Sequence, residues 1–455
     1  MARSDIVLDN CVIRPLDTQP DLAAIAHYFP ERYPYLLQSV AHGTAIARFD
    51  ILFAFTQETI ALNSALHDGD FLDRFDQQFS QEHCSDPQAQ QYLPFYGGWF
   101  LYLGYELAQQ IEPTLQLPDF PGSLPAAFAT RCPAAMVWDH QQKKLFLVAE
   151  KEQQPLLHAM EEDLTACDAL PELLLRVGEV DEDQPCDFIE SVEQIKQYIL
   201  DGDVFQVNLS RAWYAQLQDD QQDLPMALYQ RLCRSNPAPF SALVRYQDQA
   251  LISSSPERLV KVQNDVVEAR PIAGTRPRGE GESHDEAKRR ELIGHPKERA
   301  EHIMLIDLVR NDLGRIAKAG TVEVDELMVL ESYAHVHHIV SNVRGVLRDG
   351  VTPGEVIRAV FPGGTITGCP KVRCMEIIAE LEKTGRGPYT GSLGYINRDG
   401  SMDLNILIRT LHLNADKASL RAGAGIVYDS QAEWELKESR VKAHGLLLAL
   451  VADEG

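Results

Sequence analysis

KERAEHIMLIDLVRNDLGR, residues 297–315, has the period of a helix with a chemical face. Glu298 and Glu301 lie three apart, so one turn puts both carboxylates on the same side. Ile303, Met304, Ile306, Leu308, Val309 and Leu313 are spaced to bury another face. The device recurs near the C-terminus in WELKESRVKAHGLLLAL, where Glu435, Glu438 and Lys442 fall at i, i+3 and i+7. Two helices that each offer a carboxylate pair can build an oxygen-only cation site. Oxygen ligands favour a hard ion, Mg2+ before Ca2+. For any single pair the plainer reading is a solvated helix face with ion pairs. The second pair, and the glycine-rich loops before it, favour a site.

Outward from this helix the chain alternates strands and helices. SVEQIKQYILDGDVFQVNLSRAWYA reads as helix, turn and strand, and LISSSPERLVKV as strand, turn and strand. VVEARPIAGTRPRGEGES is a strand ending in a basic loop that runs into the Glu298 helix. HVHHIVSNVRGVL alternates as a strand, and FPGGTITGCPKVRCMEIIAELE is a glycine loop opening onto a helix. PYTGSLGYI, MDLNILIRTLHL and ASLRAGAGIVY read as three further strands. In the N-terminal part FDILFAF, FLYLGYEL and KLFLVAE are strand-like. The class is mixed α and β. Residues 1–150 form an N-terminal domain, 151–185 an acidic connecting segment, and 186–452 the part that carries the chemical motifs.

Composition narrows the function. Against 42 Lys and Arg stand 67 Asp and Glu, a net charge of −25 over 455 residues. Such a surface argues against nucleic acid and anionic membranes. An anionic ligand then needs a local metal or a cluster of cations. The 8 cysteines form no CxxC pair, as expected of free thiols in a reducing compartment. The N-terminus lacks the apolar core of a signal peptide, and no apolar run is long enough to span a bilayer. A cytoplasmic protein is expected.

Several motifs admit two readings. FPGGTITGCPK is either an anion-binding loop at a helix N-terminus or a plain tight turn. It lacks the Walker A spacing. AGAGIV is not a dinucleotide fingerprint, and its glycines suit a close backbone approach. Arg409, in the strand ILIRT, sits among apolar neighbours and needs a partner. That partner is either an internal carboxylate or a ligand carboxylate, which its fork fits. His335, His337 and His338 alternate along a strand, and structural histidines are the default.

Taken in order, DGDVFQVNLSR, SSSPERL, RPIAGTRPRG, EHIMLIDLVRNDLGR, FPGGTITGCPKVRCMEII, MDLNILIRT and GAGIVYDS resemble the chorismate-utilising enzymes. These are the anthranilate synthase large subunit, aminodeoxychorismate synthase component I, and the isochorismate and salicylate synthases. The match covers about 187–449. QVNLS, FPGGTITG and the N-terminal LLQS…ARFDI are most similar to the aminodeoxychorismate branch, which converts chorismate to 4-amino-4-deoxychorismate for 4-aminobenzoate and folate synthesis. The alternative is the anthranilate branch of tryptophan synthesis.

The resemblance implies an α+β fold like that of anthranilate synthase component I, two mixed α/β layers around a central cleft. It implies Mg2+ held by Glu301 and Glu438, with Glu298 and Glu435 nearby or acting through water. Arg409 and Tyr389 would hold the pyruvyl carboxylate, helped by backbone at Gly423 and Gly425. Lys442 and Thr275 would sit near the carboxylates, and Thr365 and His338 near the ring. Glu257 would be the general acid for the departing C4 hydroxyl. Family members that add water carry a lysine base where this chain has Gln206, so ammonia is the expected nucleophile. The aminodeoxychorismate branch is usually described with PIKGT, whose lysine attacks C2. Here Ala273 stands in that place, as in anthranilate synthases. Direct addition of ammonia, attack by a different residue and an anthranilate product are the three readings, of which direct addition is favoured. A separate glutamine amidotransferase subunit would supply the ammonia. Ser39, Pro239 and Phe240 resemble the family's tryptophan pocket.

Overall fold

The structure, a computed structural model, describes residues 5–41, 47–63, 68–218, 223–279, 281–332 and 336–451. Two antiparallel sheets dominate it. The first has thirteen strands among the described residues. Its order begins Ile6–Val7, Cys11–Leu16, Lys144–Glu150, Ala134–Asp139, Phe49–Ala54 and Tyr35–Gln38. It continues Phe240–Tyr246, Gln249–Ser255, Thr410–Asn414, Lys417–Ile426, Gln206–Leu217 and Val177–Glu182, and Gly368–Cys369 adds to Gln206–Leu217. The second has ten. It runs Ile272–Pro277, Val336–Val346, Val266–Ala269, Arg258–Gln263, Met402–Asn405, Ser392–Asn397, Gly98–Leu103, Ala127–Cys132 and Thr59–Leu62, with Glu323–Ser332 on Val336–Val346.

Both sheets draw strands from residues 1–150 and from residues after 186. In the first, Leu36 lies opposite Leu243. In the second, Phe100 lies opposite Tyr395. The sheets face each other through buried aromatic rings, with Tyr35 of one stacked on Phe100 of the other at 4.1 Å. Such offset pairs combine large apolar burial with specific geometry. Helices cover the outer faces. Leu224–Ser235 and Ala432–Leu450 pack together against the first sheet, and Pro296–Gly314 packs on Ile272–Pro277 and Val336–Val346 of the second. The two carboxylate helices thus belong to opposite layers, and a cleft opens between them.

Three expectations are corrected. ILIRT is not one strand. Met402–Asn405 lies in the second sheet and Thr410–Asn414 in the first, so the chain changes layer between them. Arg409 stands at that crossing with φ +52°. Ile306 and Leu313 are buried as expected, but Ile303 is 51% exposed, and His302, Leu305 and Asp312 complete the buried stripe instead. The basic loop is followed by a separate helix, Glu282–Gly294. It has no apolar period and is laced by Arg290–Glu286 and Lys288–Glu291 pairs. The acidic segment 151–185 contains the helix Leu156–Ala166 and the edge strand Val177–Glu182. Among the described residues no helix is long and apolar enough to cross a membrane.

Candidate active site

Glu257 follows the strand Gln249–Ser255 and is buried. The Thr365 hydroxyl donates to its carboxylate at 2.9 Å. Burial pushes the Glu257 carboxyl up to about 7, against the opposing pull of Thr365, the Ile272 backbone, Arg409 and Lys442. A carboxyl so placed is half protonated near neutrality, as a general acid requires. Thr365 belongs to the short turn Gly364–Ile366. That turn lies hard against the Glu298 helix, since a Cβ on Gly364 would fall 2.1 Å from Leu308.

Gln206 opens the strand Gln206–Leu217 and is buried. Its amide nitrogen donates to Glu301 at 3.0 Å, so one bond spans the two layers. Its carbonyl oxygen is buried without a hydrogen-bond partner among the described residues. Gly425 makes room for this side chain, because a Cβ there would stand 2.4 Å from the Gln206 nitrogen. At Gly423 a Cβ would stand 2.2 Å from the Leu209 carbonyl, so close strand pairing already requires glycine there.

Arg409 is half-buried, its guanidinium has no ion pair or hydrogen bond among the described residues, and desolvation lowers its pKa against the raising influence of Glu257. The internal carboxylate partner considered from sequence is therefore not found. Its backbone carbonyl accepts from Ser254 at 3.0 Å, which anchors the left-handed residue. His338 is buried near the same charge. Burial, then Arg409, push it down to about 4, so it is neutral at pH 7. His337, one residue earlier, faces the other way and meets Asp285 and Ser332 at 2.9 and 2.7 Å. His335 lies outside the described residues.

Tyr389 is buried and its hydroxyl lies 3.5 Å from the Asn208 side-chain oxygen. Ala273 is buried on the strand Ile272–Pro277, opposite Ile339. The backbone of Thr275 pairs with His338, while its side chain lies outside the described residues.

Lys442 is half-exposed and bonds Glu438 at 2.8 Å. Packing around the amine opposes its charge, but Glu438, Tyr389 and Glu301 hold its pKa above the ordinary value. Glu301 and Glu438, from opposite layers, thus act on one cation. Glu298 pairs with Arg276 at 2.9 Å, and Glu435 is half-buried on the Glu438 helix. Among the described residues no three His, Cys, Asp or Glu side chains form a ready-made metal cluster. The donors that Glu301 and Glu438 offer are hard carboxylate oxygens, which suit Mg2+ when ligand oxygens complete the shell. Ser39, Pro239 and Phe240 do come together, lining a cavity of about 300 Å³.

Sequence reading missed Asn208, which period-two alternation from Gln206 places on the same face. It also missed Arg386 and Glu382, a buried pair behind Tyr389.

The chain belongs to the chorismate binding enzyme family, whose model matches residues 32–448. Over 365 residues it is 44% identical to an anthranilate synthase component I-like protein of Synechocystis sp., covering 79% of this chain and 74% of that protein. Over 376 residues it is 42% identical to aminodeoxychorismate synthase component 1 of Bacillus subtilis, covering 79% and 78%. The crystal structure of anthranilate synthase component I from Streptococcus pneumoniae aligns with a TM-score of 0.78 at 32% identity, covering 89% of this chain and 93% of that one. The α+β fold and a chorismate-converting activity follow.

Proposed function

We propose that this chain converts chorismate and ammonia to 4-amino-4-deoxychorismate, for 4-aminobenzoate and folate synthesis. Gln206 carries the choice of ammonia, and the resemblance of QVNLS and FPGGTITG to the aminodeoxychorismate branch, with the Bacillus subtilis relative, supports the choice of C4. A carboxamide cannot take a proton from water, whereas its buried, unpartnered oxygen can accept from an N–H donor. Ammonia is favoured over water as the nucleophile.

In this reading Arg409 and Tyr389 hold the pyruvyl carboxylate, with backbone at Gly423 and Gly425. Lys442 and Thr275 lie near the carboxylates, and Thr365 and neutral His338 near the ring. Bound by Glu301 and Glu438, with Glu298 and Glu435 close by, Mg2+ would supply Lewis-acid stabilisation of charge on the substrate. Glu257 gives its proton to the C4 hydroxyl as the C4–O bond breaks. Ammonia becomes the C4 amino group, and water leaves. Ala273 offers no nucleophile, which favours direct addition over attack by another residue. A glutamine amidotransferase subunit supplies the ammonia, and free ammonium replaces it in vitro.

Ala273 and the anthranilate synthase relatives favour a second reading, amination at C2 with loss of pyruvate. Product identity separates the two. The purified chain is incubated with chorismate, Mg2+ and excess ammonium at alkaline pH, and products are resolved by mass and fluorescence. An unaromatised aminated chorismate that a lyase turns into 4-aminobenzoate is expected. Fluorescent anthranilate with released pyruvate would move the chain to the other branch.

A further inference from the structure

We propose that Arg386 is a positioning residue for the cleft, a single guanidinium that sets Gln206, Thr365 and Tyr389 against one another. The inference rests on reading the cleft as the site of chorismate conversion.

Arg386 and Glu382 have side chains only 1% exposed and lie 2.6 Å apart. The Arg386 Nε also donates to Glu382, at 3.0 Å. The rest of the fork reaches three other segments. Nη2 donates to the Asn208 carbonyl at 2.7 Å. Nη1 donates to the Ile366 carbonyl and to the Thr390 hydroxyl, both at 3.3 Å. Each acceptor neighbours a cleft residue. Asn208 lies two on from Gln206 along one strand face, Ile366 follows Thr365, and Thr390 follows Tyr389. The guanidinium also lies over the rings of Tyr105 and Tyr389, at 5.0 and 5.4 Å.

Glu382 takes only two of the fork's five donors. The rest are spent on the three loop and strand segments that present the nucleophile-side amide, the partner of the acid and the carboxylate-binding phenol. Only a planar group with five donors serves all four acceptors at once, which an ammonium on one nitrogen cannot. Thr390 adds an independent sign. It is β-branched yet has φ +64°, a conformation that persists only where surroundings impose it. Its hydroxyl, which Arg386 holds, also donates to the Tyr389 carbonyl at 2.5 Å.

Two variants test the inference in ammonium-dependent turnover of chorismate. Arg386→Lys keeps a cation beside Glu382 and loses the fork. Its kcat is expected to fall about 100-fold, the scale of a small misplacement of reacting groups. The upper limb of its pH profile should also move to higher pH, because the Thr365 bond that lowers the Glu257 pKa is loosened. Thr390→Gly removes the hydroxyl and relieves the left-handed strain. Its melting temperature should hold while KM for chorismate rises about fivefold, the equivalent of roughly 1 kcal/mol of binding. Wild-type kcat, KM and pH limb in both variants, per folded molecule, would overturn the role. Should Arg386→Lys not fold, Thr390→Gly decides alone by whether its KM moves. A wild-type chain inert towards chorismate would defeat the reading of the cleft, whereas an active wild type with unchanged variants defeats only the inference.

Discussion

Two arginines, one fully buried and one half-buried, show how the same side chain serves two ends. Arg386 spends its donors on Glu382, Asn208, Ile366 and Thr390. Burial works against its charge, yet Glu382 holds its pKa above the ordinary arginine value. Arg409 is half-buried at the layer crossing without such a partner among the described residues, and desolvation draws its pKa down with Glu257 as the opposing charge. A saturated cation is architecture, here the architecture that positions the cleft residues. An unsaturated one is a receptor, because its desolvation cost is recovered only when an anion arrives. In a chain of net charge −25, this is how a cleft can attract a dicarboxylate that the surface repels.

The largest effect is expected at Glu257. Glu257→Gln should lower kcat by about 10⁴-fold, the upper range for a general acid, while chorismate binding, read by direct titration, stays within a few-fold. Unchanged turnover would remove the acid role. The same variant reports on stability. The folded pKa of Glu257 is raised from 4.5 to about 7. Its contribution to stability is therefore fully present below pH 4.5 and lost as pH rises through 7. Between those limits the wild type should lose on the order of 3 kcal/mol relative to Glu257→Gln. Denaturant unfolding at pH 5 and pH 8 measures this, and parallel curves would show that burial does not raise the carboxyl. At a fixed concentration of free ammonia, wild-type turnover should decline above pH 7 as the acid loses its proton.

Glutamine at each arginine sharpens the contrast. Arg386→Gln removes one of the two cations that Glu382 has among the described residues, leaving Arg421 at 2.8 Å and the Ser210 N–H and hydroxyl at 2.8 and 2.9 Å, and should cost about 3 kcal/mol of stability. Arg409→Gln should leave the melting temperature unchanged or raise it, and lower kcat/KM for chorismate by about 100-fold, as for a lost charge-assisted carboxylate contact. Equal thermal losses in the two variants would break the distinction between architecture and receptor.

How much of this was legible depended on distance along the chain. Motifs on one turn or one strand could be read locally, so the carboxylate pairs at Glu298/Glu301 and Glu435/Glu438 and the alternation of His337 and His338 were accessible. The layer crossing was not. From Met402 to Leu413 no glycine or proline breaks the strand-like segment, and nothing local says that it leaves one sheet for the other at Arg409. The helix Glu282–Gly294 lacks an apolar stripe to announce it. Arg386, in KTGRGPY, looks like a solvated loop cation, and only tertiary packing with Tyr105, Asn208 and Ile366 buries it. Gln206 stood out through the resemblance, but its bond to Glu301 across the layers needed coordinates.

The smallest effect tests the contrast where cations are already satisfied. The cavity lined by Ser39, Pro239 and Phe240 also presents Arg48, Arg258 and Lys261. Arg48 pairs with Asp139 at 2.7 Å, Arg258 with Asp403 at 2.7 Å, and Lys261 with Glu268 at 3.8 Å. The Arg258 guanidinium also lies over the Phe240 ring at 5.3 Å. An amino acid entering here could bury its ring, but its carboxylate must displace a carboxylate already in place. Tryptophan should therefore inhibit weakly, with half-inhibition near 1 mM, about 4 kcal/mol of binding. Asp403→Asn frees Arg258 and should tighten that inhibition, if the occupied cation is what limits it. Half-inhibition of the wild type at micromolar tryptophan would show that pairing does not close this site, and would favour the anthranilate branch.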